Sequence, residues 1–157
     1  MSDITETRTP DRVDVRGPRF VAWVTTAVLV ATLLASTSSS AVAAVILSVQ
    51  AAVFAIGAVL GPRRHPYGLV FAELIAPRLG PVTEREPIPP LKFAQLVGFL
   101  FAVVGTIGFA SSLSVLGLIA TGFALVAAFL NAAFGICLGC QLYPLVARLR
   151  PKPGIST

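Results

Sequence analysis

The chain has 157 residues, of which 55% are hydrophobic and only 12% are charged, and its mean hydropathy is +0.86. Soluble domains typically carry about 25% charged residues, so the composition excludes an ordinary soluble domain and predicts an integral membrane protein. The formal net charge of +5 does not indicate a nucleic-acid-binding protein, because the basic residues flank apolar segments instead of clustering on a polar surface.

The chain begins with a polar segment, residues 1–19, in which acidic and basic residues alternate and little can be buried. This composition is typical of a solvated, disordered tail. An uncharged apolar segment follows at residues 20–36, and it predicts a first membrane helix with Phe20 and Trp23 as anchors at the lipid interface. A cleaved signal peptide is disfavoured, because the leader carries acidic residues and a second long apolar segment follows directly.

Three further apolar segments complete the membrane domain. Residues 41–60 are long enough to cross about 30 Å of hydrocarbon and follow a short serine-rich break, so the first two helices should form a hairpin. Residues 93–110 and 113–136 or beyond should form a second hairpin around another serine-rich turn. The predicted fold is all-α, an integral membrane protein with four transmembrane helices in two hairpins. Its membrane domain is expected at residues 20–147 and its carboxy-terminal tail at 148–157.

The segment between the hairpins, residues 61–92, is polar and rich in proline and arginine. Within this loop, Gly68–Ala76 is too short to cross a membrane and too apolar to remain in water, which predicts a short interfacial helix ended by Pro77. All twelve lysines and arginines lie in this loop or in the two tails, whereas the two serine-rich turns contain none. With four crossings the basic regions share one side, which the positive-inside rule assigns to the cytoplasm. We therefore predict a multi-pass protein of the inner (plasma) membrane with both termini in the cytoplasm.

Both cysteines of the chain, Cys137 and Cys140, lie near the end of the fourth apolar segment. That segment is longer than one membrane crossing requires. We therefore expect Gly135, Gly139 and Pro144 to interrupt or sharply bend the helix, because glycine tolerates non-helical dihedrals and proline removes a backbone donor. The cysteines should then lie at the cytoplasmic interface, close enough to form a bond.

The reactivity of the cysteine pair depends on where this interruption falls. If one helix continues through both cysteines, they lie at its electronegative carboxy-terminal end and are poor nucleophiles. If the helix ends near Gly135 and restarts, they lie at a new amino-terminal end, where the helix dipole stabilises a thiolate. A third alternative is that both cysteines are inert packing residues, since cysteine is readily buried as a small apolar side chain.

The donor set is too small for a zinc site. Such a site needs about four nitrogen or sulfur ligands, and this chain has two cysteines and one histidine. We predict no metal and no cofactor within one chain. In the reducing cytoplasm, a cysteine pair is more often catalytic or metal-binding than structural.

Four motifs carry a resemblance to a known family. They are RHPYG at residues 64–68, PRLGP at 77–81, KFAQ at 92–95 and LNAAFGICLGC at 130–140. With these motifs the chain resembles the bacterial membrane proteins grouped as domain of unknown function 4395, over roughly residues 60–145. The resemblance implies a membrane protein found mainly in actinobacteria, with genes often near those of sulfurtransferases and thioredoxin-like proteins.

The resemblance also indicates which residues to consider as a site. By motif match, Cys137 and Cys140 are the candidate catalytic pair, and Asn131, His65 and Arg64 are candidate supporting residues. We expect an inner-membrane protein whose cytoplasm-facing Cys-x-x-Cys pair takes part in thiol–disulfide or sulfur-relay chemistry.

Two alternatives belong to other classes of protein. One is a non-enzymatic accessory subunit that packs against a larger membrane complex. The other is a small-molecule sulfur transporter, which would have a polar cavity through the bundle. The expected partners are the lipid bilayer and a thioredoxin-like protein, a sulfurtransferase or a larger membrane complex. A homo-oligomer is a further candidate, and no nucleic acid is expected.

Overall fold

The structure, a computed structural model, describes residues 11–150. It contains four long helices and two shorter ones, joined at one end by a small two-stranded sheet. In chain order the elements are β1 (Arg12–Asp14), α1 (Arg16–Ser36), α2 (Ser40–Leu60), α3 (Pro66–Val70), β2 (Arg85–Pro87), α4 (Ile88–Ala110), α5 (Ser114–Phe134) and α6 (Leu138–Leu149). By length and composition, α1, α2, α4 and α5 could each cross a membrane. This architecture confirms the predicted all-α membrane fold with a short helix in its central loop.

Part of each predicted tail is structured. Residues 1–10 and 151–157 lie outside the described residues, but the rest of the amino-terminal segment forms β1 and the first turn of α1. Asp14 lies just before α1, and its carboxylate accepts hydrogen bonds from the backbone and side chain of Arg16 at 2.9 to 3.1 Å. The carboxy-terminal segment extends α6 to Leu149.

The other helix bounds have local causes. α4 begins at Ile88, before the predicted residue 93, because Pro89 and Pro90 lie in its first turn, where a missing N–H breaks no helical bond. In the central loop, a 3-10 turn precedes α3, and wide and then tight helical turns continue it through Arg78. Pro77 therefore lies inside the last tight turn and does not end the helix.

The bundle core consists of apolar side chains between α1, α2, α4 and α5. Leu29 and Leu47 are fully buried, and Phe54 and Phe109 pack with them. Close helix approach depends on Gly108, since a Cβ there would lie 2.5 Å from the backbone nitrogen of Gly117. Within lipid, such close backbone approach is a main source of helix association.

The two ends of the bundle differ. At one end are the two serine-rich turns, where the hydroxyls of Ser40 and Ser114 lie 3.3 Å apart. At the other end β1 pairs antiparallel with β2, with Val13 opposite Glu86. That second end also holds the central loop and α6, and it contains the candidate site.

Candidate functional site

The fourth membrane helix stops before the cysteines. Gly135 adopts a left-handed conformation, with φ of +70°, which glycine reaches without the cost of a Cβ clash. Its N–H donates to the carbonyl of Asn131 at 3.0 Å, and the N–H of Ile136 donates to the carbonyl of Leu130 at 3.2 Å. These two bonds satisfy the carbonyls of Leu130 and Asn131, and α5 ends at Phe134.

A new helix starts at the cysteine pair. Cys137 is extended and caps α6, and its Sγ accepts a hydrogen bond from the backbone N–H of Cys140 at 3.2 Å. The two residues form a disulfide with their Cα atoms 5.2 Å apart. The predicted interruption is confirmed. Of the two alternatives, the helix that ends near Gly135 and restarts is the one observed, since α5 ends at Phe134 and α6 begins at Leu138. Both sulfurs lie in the first turn of α6, at the positive end of the helix dipole.

The other two residues expected to disturb the helix have different roles. Pro144 lies inside α6 and does not end it, although its missing N–H leaves the carbonyl of Cys140 without the usual helical donor. Gly139 provides close packing, because a Cβ there would lie 2.6 Å from the Cα of Ala94 in α4. Gly135 alone therefore causes the break, and Gly139 sets how α6 lies on α4.

A cavity of about 250 Å³ lies beneath α6 and between the membrane helices. Cys137, Leu138, Gly139 and Leu142 form its wall on the α6 side. Most of the remaining wall is apolar. The polar side chains on the wall, other than Cys137, are Thr25, His65, Gln95 and Asn131.

Three of these polar groups are buried without a hydrogen-bond partner among the described residues. They are both ring nitrogens of His65, Oε1 of Gln95 and Oγ1 of Thr25. Buried polar atoms are bonded in the large majority of cases, and leaving one unsatisfied costs about 1–3 kcal/mol. Gln95 nevertheless lies close enough to His65 to raise its pKa as a hydrogen-bond partner, so the polar groups on this wall can bond one another or a polar ligand.

His65 is the most buried of the predicted site residues, with 1% of its surface exposed. Burial lowers its pKa from 6.5 to about 4, and the neighbouring Gln95 opposes that shift only in part. His65 is therefore neutral at pH 7, with one nitrogen able to donate a hydrogen bond and the other able to accept one. Gly57 makes room for it, since a Cβ there would lie 2.6 Å from Cδ2 of the His65 ring and 3.0 Å from the Gln95 amide carbon.

A second layer of polar side chains supports His65. The ring of Tyr67 meets the His65 ring edge-on, with centroids 5.3 Å apart. The Tyr67 hydroxyl donates to Oε1 of Gln50 at 2.8 Å, and Gln50 is 1% exposed in the middle of α2. This chain of contacts connects His65, through Tyr67, to the interior of α2.

Arg19 lies beside the helix break. Its guanidinium donates to the carbonyl of Ala133 at 3.4 Å and passes close to Gly135. A cation at the carboxy-terminal end of a helix is favourable because it meets the negative end of the dipole. Arg19 thus joins the first turn of α1 to the end of α5, next to the cysteines.

The comparisons with known proteins identify a family and give no relative of known structure. The family profile described as "Domain of unknown function (DUF4395)" matches residues 13–148. This chain belongs to the DUF4395 family. No curated protein and no solved structure matches it. The match confirms the resemblance seen in the four motifs, and it covers all the candidate residues of the site.

The structure brings some of the DUF4395 motif residues together and separates others. His65, Asn131 and Cys137 line the same cavity, and Cys140 is bonded to Cys137. Arg64, next to His65 in the chain, is exposed and does not line the cavity. Among residues 11–150, no group of three His, Cys, Asp or Glu side chains is placed to hold a metal ion.

Sequence reasoning missed two residues of this region. Gln95 and Asn131, which lie in predicted membrane segments, both line the cavity. Gln50 and Thr25 were not singled out, although a polar side chain within a membrane segment is itself a signal of function. Gln50 lies within α2, whose other residues are mostly apolar.

Proposed function

We propose that this DUF4395 protein is a membrane thiol–disulfide protein in which Cys137 and Cys140 cycle between a dithiol and a disulfide. The observation that carries the proposal is the position of the pair at the start of α6, where Cys137 caps the helix and also lines a cavity whose wall holds the buried His65. A packing role for the cysteines needs neither the helix break nor the cavity.

The exchange reaction can be written from this geometry. Cys137 is the better leaving group of the disulfide, because its sulfur caps α6 and receives the N–H of Cys140 at the end of the helix that favours negative charge. One thiolate of a partner's dithiol attacks the Cys140 sulfur, the S–S bond breaks, and Cys137 leaves as a thiolate. The partner's second thiolate then attacks the partner's own sulfur in the mixed disulfide, which releases the partner oxidised and leaves Cys137 and Cys140 as a dithiol.

Two features favour exchange over the related idea of sulfur relay. The two cysteines bond to each other in the described structure, whereas carrying a persulfide requires only one. Both cysteines are half-buried, so a partner's sulfur can reach them from the end of the bundle. A thioredoxin-like protein is the class of partner that fits this chemistry.

A redox titration of the pair in membranes tests the proposal. Membranes holding the full chain are equilibrated over a range of thiol buffers, and free thiols are then alkylated and counted. We expect a two-electron transition within the range of thioredoxin-like couples, roughly −300 to −120 mV. The Cys140→Ser variant, which keeps Cys137 but cannot close the disulfide, should lose the transition. Thiols that neither oxidise nor alkylate at any potential would contradict the proposal.

We further propose that the basic end of the bundle faces the cytoplasm and that the protein lies in the plasma membrane. The support is the distribution of lysines and arginines, which are absent from the serine-rich turns. In a chain with both native cysteines changed to serine, single cysteines at Ser38 and Ser112 should react with an impermeant maleimide added outside the cell. A cysteine at Thr83 should not react until the membrane is opened. All three positions are exposed, so the reverse labelling would overturn this orientation.

A further inference from the structure

The cavity is polar at one end and apolar at the other. The polar end holds Cys137, His65, Gln95 and Asn131, all near the basic end of the bundle. From there the wall continues along α4 to Phe101 and along α5 to Phe123. At 1.5 Å per residue, Phe101 lies about 9 Å further along α4 than Gln95. A ligand that fills this space has a polar head and an apolar extension.

The apolar end of the cavity reaches the outside of the bundle. Phe101 and Phe123 line the cavity, yet they are 36% and 62% exposed, and their ring centroids are 6.1 Å apart. Both residues lie on helices that could cross a membrane, so what they face on the outer side is lipid. The cavity edge between α4 and α5 is thus placed to admit a molecule from the bilayer.

The unpaired groups at the polar end define the chemistry of the head. A neutral His65 offers one N–H donor and one acceptor nitrogen, and the Oε1 atom of Gln95 can only accept. Neither ring nitrogen of His65 nor Oε1 of Gln95 makes a hydrogen bond of good geometry within the described chain, although Gln95 lies close enough to His65 to raise its pKa as a hydrogen-bond partner. A head group whose oxygens are carbonyls in one state and hydroxyls in another can pair with them in both states. The disulfide reaches the same wall through Cys137, so under the thiol function proposed above the head is one that exchanges two electrons.

We propose that this cavity binds the head group of a lipid-soluble quinone, which takes two electrons from Cys137 and Cys140. The inference rests on the thiol function proposed above and names the oxidant for it. In the reaction the two S–H bonds break and the S–S bond forms. The quinone accepts the two electrons and the two protons, and its two carbonyl oxygens become the hydroxyls of a hydroquinone. His65 and Gln95 position the head by hydrogen bonds to these oxygens.

The size of the cavity agrees with a ring and the start of a chain. Its volume of about 250 Å³ lies just below the range of small-ligand pockets, about 300–1,000 Å³. The isoprenoid chain of a quinone would leave past Phe101 and Phe123 into lipid. Cys137 is on the wall itself, so the ring and the sulfur share one space.

Binding is tested apart from electron transfer, with both cysteines changed to serine. The probe is a 1,4-naphthoquinone with a single prenyl unit, titrated onto the purified full chain in detergent. On this background Ala127→Phe, which fills the cavity, should weaken binding at least about tenfold. The matched control is Val126→Phe, which places the same ring one residue away on the lipid-facing surface. Val126 is 56% exposed and does not line the cavity. This variant should change binding by less than about twofold. His65→Leu should weaken binding about fivefold or more. Equal binding by the Ala127 and Val126 variants would overturn the site.

Electron transfer is tested with the native cysteines, reduced and freed of oxygen. One equivalent of hydroquinone should form per chain, followed by its absorbance, and the Ala127→Phe variant should form it at least about tenfold more slowly than Val126→Phe. If the pair titrates in thiol buffers but forms no hydroquinone, the quinone inference fails while the proposed thiol function stands. If the thiols never titrate, the proposed function fails, and the electron transfer proposed here fails with it.

Discussion

The two ends of this bundle are packed in different ways, although both are built from apolar helices with many small residues. At the serine-rich end, α4 and α5 touch backbone to backbone at Gly108 and Gly117, and Leu29 and Leu47 are fully buried. At the basic end the helices separate around a cavity with unpaired polar groups on its wall. At the serine-rich end, therefore, glycine permits close helix contact.

The difference separates residues that hold the fold from residues available for chemistry. Small residues at three- or four-residue spacing run along both α4 and α5, but close contact between these two helices is seen where glycines face each other. At the basic end, polar residues of the membrane segments are available for ligand binding, because several of them lie on one cavity wall. Stability should therefore respond most to the serine-rich end, and ligand binding to the basic end.

The largest effect on stability is expected from Gly108→Leu. A side chain at this position has no space, because its Cβ would already lie 2.5 Å from the backbone of Gly117. Overpacking typically costs about 1–3 kcal/mol, and we expect the upper end of that range or failure to fold. The matched control is Gly122→Leu on α5, where an added Cβ meets nothing within 4 Å. The measurement is unfolding of the purified protein by heat or denaturant in detergent. Equal losses in the two variants would contradict the close contact.

The second effect is a loss of stability at acid pH caused by His65. Its pKa falls from 6.5 to about 4 on folding, so the unfolded chain takes up a proton first as the pH decreases. The stability contributed by neutral His65 is therefore fully present above about pH 6.5 and is lost between about pH 6.5 and pH 4. At pH 5 the expected loss relative to pH 7.5 is about 2 kcal/mol.

The control for this pH effect is His65→Gln, which should remove most of the dependence. Glu86 has its pKa raised by burial, but it titrates in both proteins and cancels in the difference. A wild-type protein as stable at pH 5 as at pH 7.5, or an unchanged dependence in the variant, would argue against a buried neutral histidine.

A smaller effect is expected from Gly135→Ala at the helix break. The left-handed φ of +70° costs a residue with a Cβ about 1–2 kcal/mol, so the variant should be less stable by roughly 1 kcal/mol. Gly80→Ala is the control, because Gly80 has an ordinary φ and open space around it. If α5 instead extends past Gly135 without cost, the two variants will unfold alike.

The smallest effect is expected from Asp14→Asn, which removes the ion pair between Asp14 and Arg16 at 2.7 Å. Hydrogen bonds from Arg16 hold the pKa of Asp14 below its usual value, but both side chains retain contact with solvent. Partly exposed pairs contribute about 1 kcal/mol or less. The loss should shrink as salt is added, which unfolding at low and high ionic strength measures. A loss that is large and independent of salt would point to a role in the backbone fold instead.

Local features of this fold could be predicted from the sequence, whereas the cavity could not. Segment length and charge gave the four helices and two hairpins, because those properties are carried by residues adjacent in the chain. The interruption before Cys137 was also predictable, since excess length and glycine conformational freedom act locally. α4 begins before the predicted residue 93, because Pro89 and Pro90 lie in its first turn, where proline is as compatible with a helix as with a loop.

The site depends on contacts between segments that are distant in the chain, and the sequence indicates only some of these contacts. His65 and Arg64 are neighbours in one motif, yet the fold buries the first and exposes the second. The sequence does not decide that, because it depends on how the central loop folds over Gly57 and Gln95. Pairing of β1 with β2 joins residues more than seventy positions apart and has no local signal. Gln50, in contrast, had one, as a polar residue inside a membrane segment.

The three-residue link Gly135–Cys137 also sets the rotational phase of α6. Successive residues of an α-helix point about 100° apart around its axis, and contact between Gly139 and Ala94 holds α6 in one rotation. Inserting or deleting one residue in the link would leave each helix intact but force α6 to turn about 100° or to lose its contact with α4. Either outcome would take Cys137 off the cavity wall while it stays bonded to Cys140, so the length of this link is as much a part of the site as the sulfur atoms.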